Sequence, residues 1–446
     1  MTSWLGKYCA AIGGGIAVAF AVMLPVIFAA AGMAIDVGES NHVRQRLCHA
    51  LDAAALAGAS ASAEQHIITD YATNFFNRNY PEDSVGDIEL FEVDVTDDEV
   101  IARVRAHYRT NFMRVIGRDQ IAIECQTAVR RIIQGLEVSM ILDITGSMAG
   151  QRIVELRQSA KALVDIVISE THMPHEESYV KVAMVPYSMG VNVGSYANQI
   201  RGPVSGGTCT SPGCASFRFR NAWNGNWTTL PGSTCVSERV GPLAYTDDPP
   251  SLQYMGYNYT APNNPCIPNQ IVPLTNDKDF LHAQIDALVA GGSTAAHVGV
   301  AWGWYLLSPR WGYLWPEENR PAPYDDDRIK KVAVLMTDGE FNSPYCNGVI
   351  SQDSTPGSGS PLYHINCNAP NGSSYLQAEN LCASMKEAGV IVYTVGFHIY
   401  DMPEATQVMH ECATDPSHVY LTGSGEELDA AFRDIARKIS TLHISQ

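Results

Sequence analysis

The chain has 446 residues, 46% of them hydrophobic and 17% charged, which gives room for two to four folded domains and excludes disorder throughout. Its formal net charge is −18. That excess of carboxylates argues against nucleic acid as a partner, because phosphate binding needs a clustered cationic face, and against broad adhesion to anionic lipid.

From Ala11 to Ile35 no residue is charged. At about 1.5 Å per residue, a helix of that length crosses the roughly 30 Å hydrocarbon core of a bilayer. Lys7 precedes the stretch, and Asp36 and Glu39 follow it. This places the N-terminus (1–10) in the cytoplasm, against the pull of Arg44 and Arg46. Pro25 is tolerable as a kink within lipid. The rival is a cleavable signal peptide cut near Ala29–Ala31, but the apolar run exceeds the usual core of about 7–15 residues. Either way, the bulk of the chain is exported.

The cysteines agree with export. There are eleven. Cys209, Cys214, Cys235 and Cys266 fall in one Gly/Pro/Asn-rich stretch, Cys346, Cys367, Cys382 and Cys412 lie nearer the C-terminus, and Cys9, Cys48 and Cys125 are scattered. A zinc site wants two tight pairs, and only Cys209 and Cys214 lie close together, so disulfides are favoured. The odd total leaves a thiol unpaired within the chain, and Cys9 is the natural candidate.

After Asp36 the helical pattern continues, with Val43, Leu47, Leu51 and Ala54 on one stripe, a helix that starts in lipid and emerges amphipathic as in a pilin. Gly86–Val95 and Val100–Tyr108 alternate as a hairpin around Asp97 and Asp98, Asn111–Ile116 reads as a short helix, and Ile121–Arg131 as a further strand. This is a small α+β unit over 36–132.

From residue 133 the pattern changes. Leu136–Asp143 is a buried-strand run, ITGSMAG a tight loop, and the segment after it an amphipathic helix with Ile153, Leu156, Leu163 and Val167 on one face. Val180–Tyr187, KKVAVLMTDGE and VIVYTVGF are further apolar strands. DFLHAQIDALVA, TAAHVGVAWGWYLL, SYLQAENLCASMKEAG and EELDAAFRDIARKIS are helices. Strands alternating with helices imply a mostly parallel sheet with helices on both faces, a Rossmann-like α/β domain over 133–446. Residues 195–275 break the rhythm and are read as a disulfide-stapled insertion, with a second Gly/Ser/Pro-rich excursion at 342–373. Trp223, Trp227, Tyr254, Tyr257 and Tyr259 are read as that insertion's own core rather than a glycan or partner surface. Asp325, Asp326 and Asp327 read as a solvated charge run.

Three loops carry the chemistry: Asp143, Thr145 and Ser147 in DITGS, Thr294 in GGST, and Asp338 in LMTDGE. They lie at or beside the C-terminal ends of strands, where doubly wound sheets bind ligands. Two carboxylates and three hydroxyls form a hard-oxygen set, suited to a divalent cation: Mg²⁺ first, with Ca²⁺ and Mn²⁺ as further candidates. Two carboxylates cannot fill an octahedron. Water and one external ligand would complete it, and a partner protein's carboxylate is the natural last donor. Ser147 lacks a G-x-S-x-G elbow and no histidine is tied to it, so no enzyme activity is expected. His297 reads as a packed side chain, and His398 follows a strand.

These three motifs, in this order and on these elements, resemble the metal-ion-dependent adhesion site (MIDAS) of von Willebrand factor A (VWA) domains, D-x-S-x-S followed by a Thr and an Asp. Thr145 replaces the first serine and keeps its hydroxyl. The resemblance covers about 136–194 and 276–446. The N-terminal segment GGGIAVAFAVMLPVIFAAAGMAIDVG, with QRLCHALDAAALAGA after it, resembles the TadG-like proteins of Flp/Tad (type IVc) pilus assembly. WGWYLLSP, the LMTDGE strand and the spacing around Cys382 and Cys412 are similar to their C-terminal halves. Those two cysteines are expected to pair, joining the second-last helix to the loop before the last.

The resemblance implies a bacterial inner-membrane protein with one pass and a periplasmic or surface-exposed VWA domain. Its partners would be other pilin-like Tad subunits and a protein that supplies the carboxylate. Prepilin-peptidase substrates carry Glu five residues after the cleavage-site glycine. After Gly13, Gly14 and Gly15 stand Val18, Ala19 and Phe20, so no such cleavage is expected. The alternatives are a minor pilin or pilus-tip adhesin, and a periplasmic metal-dependent hydrolase, for which no general base is evident.

Overall fold

A computed structural model of the chain describes residues 14–59, 65–81, 84–96, 99–130, 135–168, 180–326 and 328–442. The N-terminus with Lys7 and Cys9, the hairpin tip at Asp97 and Asp98, and Asp327 lie outside the described residues. The chain divides into two compact units that part between Ile133 and Gln134.

The first unit is built on helix α1 (Gly14–Ala59), which contains Pro25 and carries both the apolar stretch and the amphipathic stripe without a break. It is the one helix among the described residues long and apolar enough to cross a membrane, with a mean hydropathy of 2.4 in its most apolar window. Helix α2 (Gln65–Asn79) follows, then an antiparallel sheet of β1 (Asp87–Val95), β2 (Glu99–Arg109) and β3 (Gln120–Arg130) in that order. Val43, Leu47, Leu51 and Ala54 are buried with Ala102, Val104 and Ala106 of β2. Burying each leucine contributes about 1.5–3 kcal/mol, which holds the helix on the sheet. Phe76 of α2 stacks on Phe91 at 4.3 Å, and a disulfide joins Cys48 of α1 to Cys125 of β3. Helix α2 is an addition to the expected elements. The expected helix at Asn111–Ile116 is a 3₁₀ turn over Met113–Ile116.

The second unit is a doubly wound sheet. Strand β4 (Gly135–Asp143), buried throughout, lies at its centre. Helix α3 (Gln151–Val167) connects it toward β5 (Val180–Tyr187). The insertion then supplies β6 (Val191–Asn192), β7 (Ser205–Cys209), β8 (Cys214–Arg220), β9 (Trp227–Ser237) and β10 (Gly256–Tyr259), before β11 (Val272–Thr275) returns to β5. Helices α4 (Lys278–Asp286) and α5 (Ala296–Tyr305) lead to β12 (Ile329–Thr337) and a small hairpin, β13 (Tyr345–Cys346) with β14 (Val349–Ile350). Helix α6 (Ser374–Glu387), β15 (Ile391–Phe397), α7 (Pro403–Cys412), β16 (Val419–Thr422) and α8 (Gly425–Leu442) complete the unit.

The strands β11-β5-β4-β12-β15-β16 are neighbours in that order; all the pairs are parallel except β11 with β5. Numbered along the chain, these six run 3-2-1-4-5-6, so the winding reverses between β4 and β12. Helices α3, α4 and α8 cover one face of the sheet and α5, α6 and α7 the other.

Three expectations are corrected. Residues 195–275 do not stand apart from the sheet, because β6, β9, β8 and β7 extend it beyond β5. Of the five aromatics assigned to the insertion's core, only Tyr259 is buried, while Trp223, Trp227 and Tyr254 are exposed. The core there is Phe217, Phe219, Leu230 and Tyr259, closed by Cys346, Val349 and Ile365 from the second excursion. Cys412 lies at the end of helix α7, so its disulfide with Cys382 of α6 joins two helices. The remaining bridges are Cys209–Cys214, Cys235–Cys266 and Cys346–Cys367.

Candidate metal centre

Buried parallel strands present their C-terminal ends to one edge, and β4 and β12 are adjacent there at the reversal of winding. Asp143 is the last residue of β4, and Asp338 is the first after β12. Residues 143–147 leave the strand in a tight turn. The Thr145 N–H donates to Asp143 Oδ1 at 2.9 Å, and a short 3₁₀ turn over Gly146–Met148 follows. The loop carrying Thr294 is locked against this turn by main-chain bonds, from Gly146 N–H to Gly292 O (2.9 Å) and from Gly291 N–H to Ile144 O (2.9 Å).

Four of the five expected residues form one hydrogen-bonded chain. Thr145 Oγ1 and Ser147 Oγ are 2.9 Å apart, and Ser147 Oγ donates to Asp338 Oδ1 at 2.6 Å. Asp143 closes the chain through Thr145. Thr294 is buried beside the turn, but its side chain makes no hydrogen bond to the other four. Its backbone is held by Asn342, which accepts from Thr294 N–H through Oδ1 and donates its own N–H to Thr294 O.

Three further groups complete the site. Tyr187, at the end of β5, and Thr337, beside Asp338, both donate to Asp143 Oδ2, at 3.1 and 2.8 Å. Arg152 of α3 donates to Asp338 Oδ2 at 2.8 Å. Their signal in the sequence was position: two hydroxyls at the ends of the strands flanking β4, and one cation a turn beyond the DITGS loop. His398 follows β15 at φ 58°. His297 is buried in α5, with Nε2 3.3 Å from Glu238 Oε2.

The electrostatics of the pair are unfavourable to two negative charges. Burial, reinforced by the charge of Asp338, pushes Asp143 up to about 7. Burial also raises Asp338, against opposing pulls from Ser147 and Arg152. Two inaccessible carboxylates with one arginine between them leave an excess of negative charge that a cation would relieve. The donor set of carboxylates and hydroxyls fits a hard divalent ion. Thr145, Ser147 and Thr294 hydroxyls would share the coordination with Asp143 and Asp338, directly or through water.

Residues 14–61 match the Tad family model, described as Flp pilus-assembly TadE/G-like. No curated protein matches the chain. Among solved structures, it is similar to the vWF domain of the type V pili tip protein Mfa5 from Porphyromonas gingivalis, at 15% identity and TM-score 0.39, over 70% of this chain and 97% of that one. It is similar to the pilus adhesin SpaC from Lactobacillus rhamnosus GG at 13% identity and TM-score 0.35, over 80% of this chain and 35% of that one. It is also similar to proximal thread matrix protein 1 from the mussel byssus, solved with a zinc-occupied MIDAS motif, at 13% identity and TM-score 0.32, over 69% of this chain and 48% of that one.

Proposed function

We propose that this protein is a membrane-anchored component of a Tad/Flp (type IVc) pilus machine that captures a carboxylate of a partner protein through a divalent cation. Helix α1 spans the bacterial inner membrane with the N-terminus in the cytoplasm and both units on the periplasmic side. The first unit packs against other pilin-like subunits. The observation that carries the metal part is the hydrogen-bonded chain Asp143–Thr145–Ser147–Asp338 at the reversal point of the sheet. The matched N-terminal segment supports the pilus part.

A bound cation would supply a Lewis-acid bridge to the partner's carboxylate. The chain's own residues set the rest: Asp143 and Asp338 hold the charge, the hydroxyls orient it, and Tyr187 and Thr337 fix Asp143 Oδ2. The test is calorimetric titration of the full chain in detergent with Mg²⁺, Mn²⁺, Ca²⁺ and Zn²⁺, wild type against Asp143→Ala and Asp338→Ala. Binding in wild type that is lost in both variants is the expected result. Wild-type affinity in either variant, or no binding in wild type, overturns the assignment.

A further inference from the structure

We propose that the loop of residues 111–118 is a second membrane contact, seating Phe112, Val115 and Ile116 in the interfacial layer of the phospholipid leaflet from which α1 emerges. The proposal rests on α1 spanning the bilayer. From Ala17 to Ala31 every side chain of α1 is exposed, and Gly32 is the first buried position. Phe112 covers it: a Cβ at residue 32 would lie 2.7 Å from Phe112 Cβ, so only glycine admits this approach. One turn on, the inaccessible Asp36 carboxylate accepts the N–H groups of Asn111 (2.9 Å), Phe112 (2.8 Å) and Met113 (2.7 Å). The loop is thereby fixed to α1 at the level of Gly32 and Asp36.

That level is where the hydrocarbon ends. As a helix, the uncharged run from Ala11 to Ala31 would measure roughly 31 Å at about 1.5 Å per residue, matching the roughly 30 Å of a bilayer core. A spanning α1 therefore carries the loop to the boundary layer.

The loop is suited to that place. Val115 is 85% exposed, the most of any large apolar side chain among the described residues, with Ile116 at 56% and Phe112 at 48%. Arg114 and Arg118 are exposed beside them and form no ion pair with any described residue; Asp119 is the neighbouring negative charge. Apolar tips with flanking arginines match an interface of acyl chains below and phosphates above. A patch of three apolar side chains is far smaller than a stable protein interface of about 800 Å² per partner.

The experiment uses the full chain in phospholipid nanodiscs, with the photoreactive residue p-benzoylphenylalanine placed singly at Val115, at Val22 within the apolar stretch, or at exposed Tyr71 of α2. Lipid adducts at Val22 and Val115, with background at Tyr71, are expected on mass analysis after irradiation. Adducts at Val22 with background at Val115, or protein adducts in place of lipid at Val115, overturn the loop's role and leave the anchor standing. Background at Val22 removes the membrane span itself, and this proposal with it.

Discussion

Asp36 in the first unit and Asp143 in the second are both inaccessible to solvent, and each accepts three hydrogen bonds. Their settings nevertheless differ. All three donors to Asp36 are backbone N–H groups of one loop, so its carboxylate fastens that loop to α1. Two of the donors to Asp143 are hydroxyls, and the charge of Asp338 joins burial in pushing it up to about 7. The number of donors therefore does not distinguish a structural carboxylate from one proposed to hold a cation. A second carboxylate within electrostatic reach does, because it leaves a charge that the protein alone does not neutralise.

Exchanging each aspartate for its neutral isostere tests that difference. Asp143 rises from 3.8 to about 7. At roughly 1.36 kcal/mol per pKa unit, Asp143→Asn should stabilise the metal-free protein by on the order of 4 kcal/mol at pH 8, while abolishing Mg²⁺ binding. Asp36→Asn should do the reverse. Its amide nitrogen must face at least one of the three N–H groups, so the melting temperature falls and Mg²⁺ binding stays at the wild-type level. Denaturant unfolding with EDTA, paired with calorimetric titration, checks both. If Asp143→Asn loses stability as Asp36→Asn does, Asp143 is a structural acceptor and the comparison collapses.

Removing the metal should reproduce the same effect without mutation. Mg²⁺ at about 100 times its Kd should stabilise the second unit by about 2.7 kcal/mol, and chelation should reverse it. The pH dependence has a definite sign. Because the folded-state value of Asp143 is raised, its protonated form contributes stability that is present below the ordinary carboxyl range and lost as pH rises through about 7. The metal-free melting temperature should therefore fall between pH 5 and pH 8, as set by those values, and the Mg²⁺ increment should grow over the same interval. Scanning calorimetry at several pH values, with and without EDTA, would contradict this if the increment stayed flat.

The parts legible in the sequence were those with local signals. Strands β4, β5, β12 and β15 announce themselves because burial on both faces demands uninterrupted apolar runs, and Asp143 and Asp338 stand where two of those runs stop. Helix α7 was missed although Pro403 starts it and Ala405, Val408, Met409 and Cys412 share one face; ten residues following a loop make a weak period. Helix α2 hides similarly, with Ile68, Ala72 and Phe76 its only buried residues. The insertion was illegible for a different reason. Strand β6, through which β9, β8 and β7 join β5, is only two residues long, so no local pattern records that they extend the main sheet. Tyr187, Thr337 and Arg152 escaped because each reads alone as an ordinary strand or helix residue, and only the fold brings them to Asp143 and Asp338.

Arg152 offers the smallest effect and the finest test of the comparison, since among the described residues no cationic side chain hydrogen-bonds Asp36. Its guanidinium donates to Asp338 Oδ2 at 2.8 Å and to Ser147 O at 3.4 Å, and its side chain is 37% exposed while that of Asp338 is inaccessible. A fixed positive charge at that distance partly neutralises the pair and repels an incoming cation. Arg152→Ala should therefore tighten Mg²⁺ binding by about three- to tenfold, or about 0.6–1.4 kcal/mol, the scale of a partly exposed charge pair. The difference between wild type and variant should shrink as ionic strength rises, because the arginine is partly open to solvent. Weaker binding in Arg152→Ala would assign the residue the opposite role, of holding the Asp338 carboxylate in the orientation that the ion needs. Arg152→Lys separates the two cases. It keeps the charge but loses the planar fork, so repulsion alone predicts wild-type affinity, whereas an orienting role predicts a loss close to that of the alanine variant.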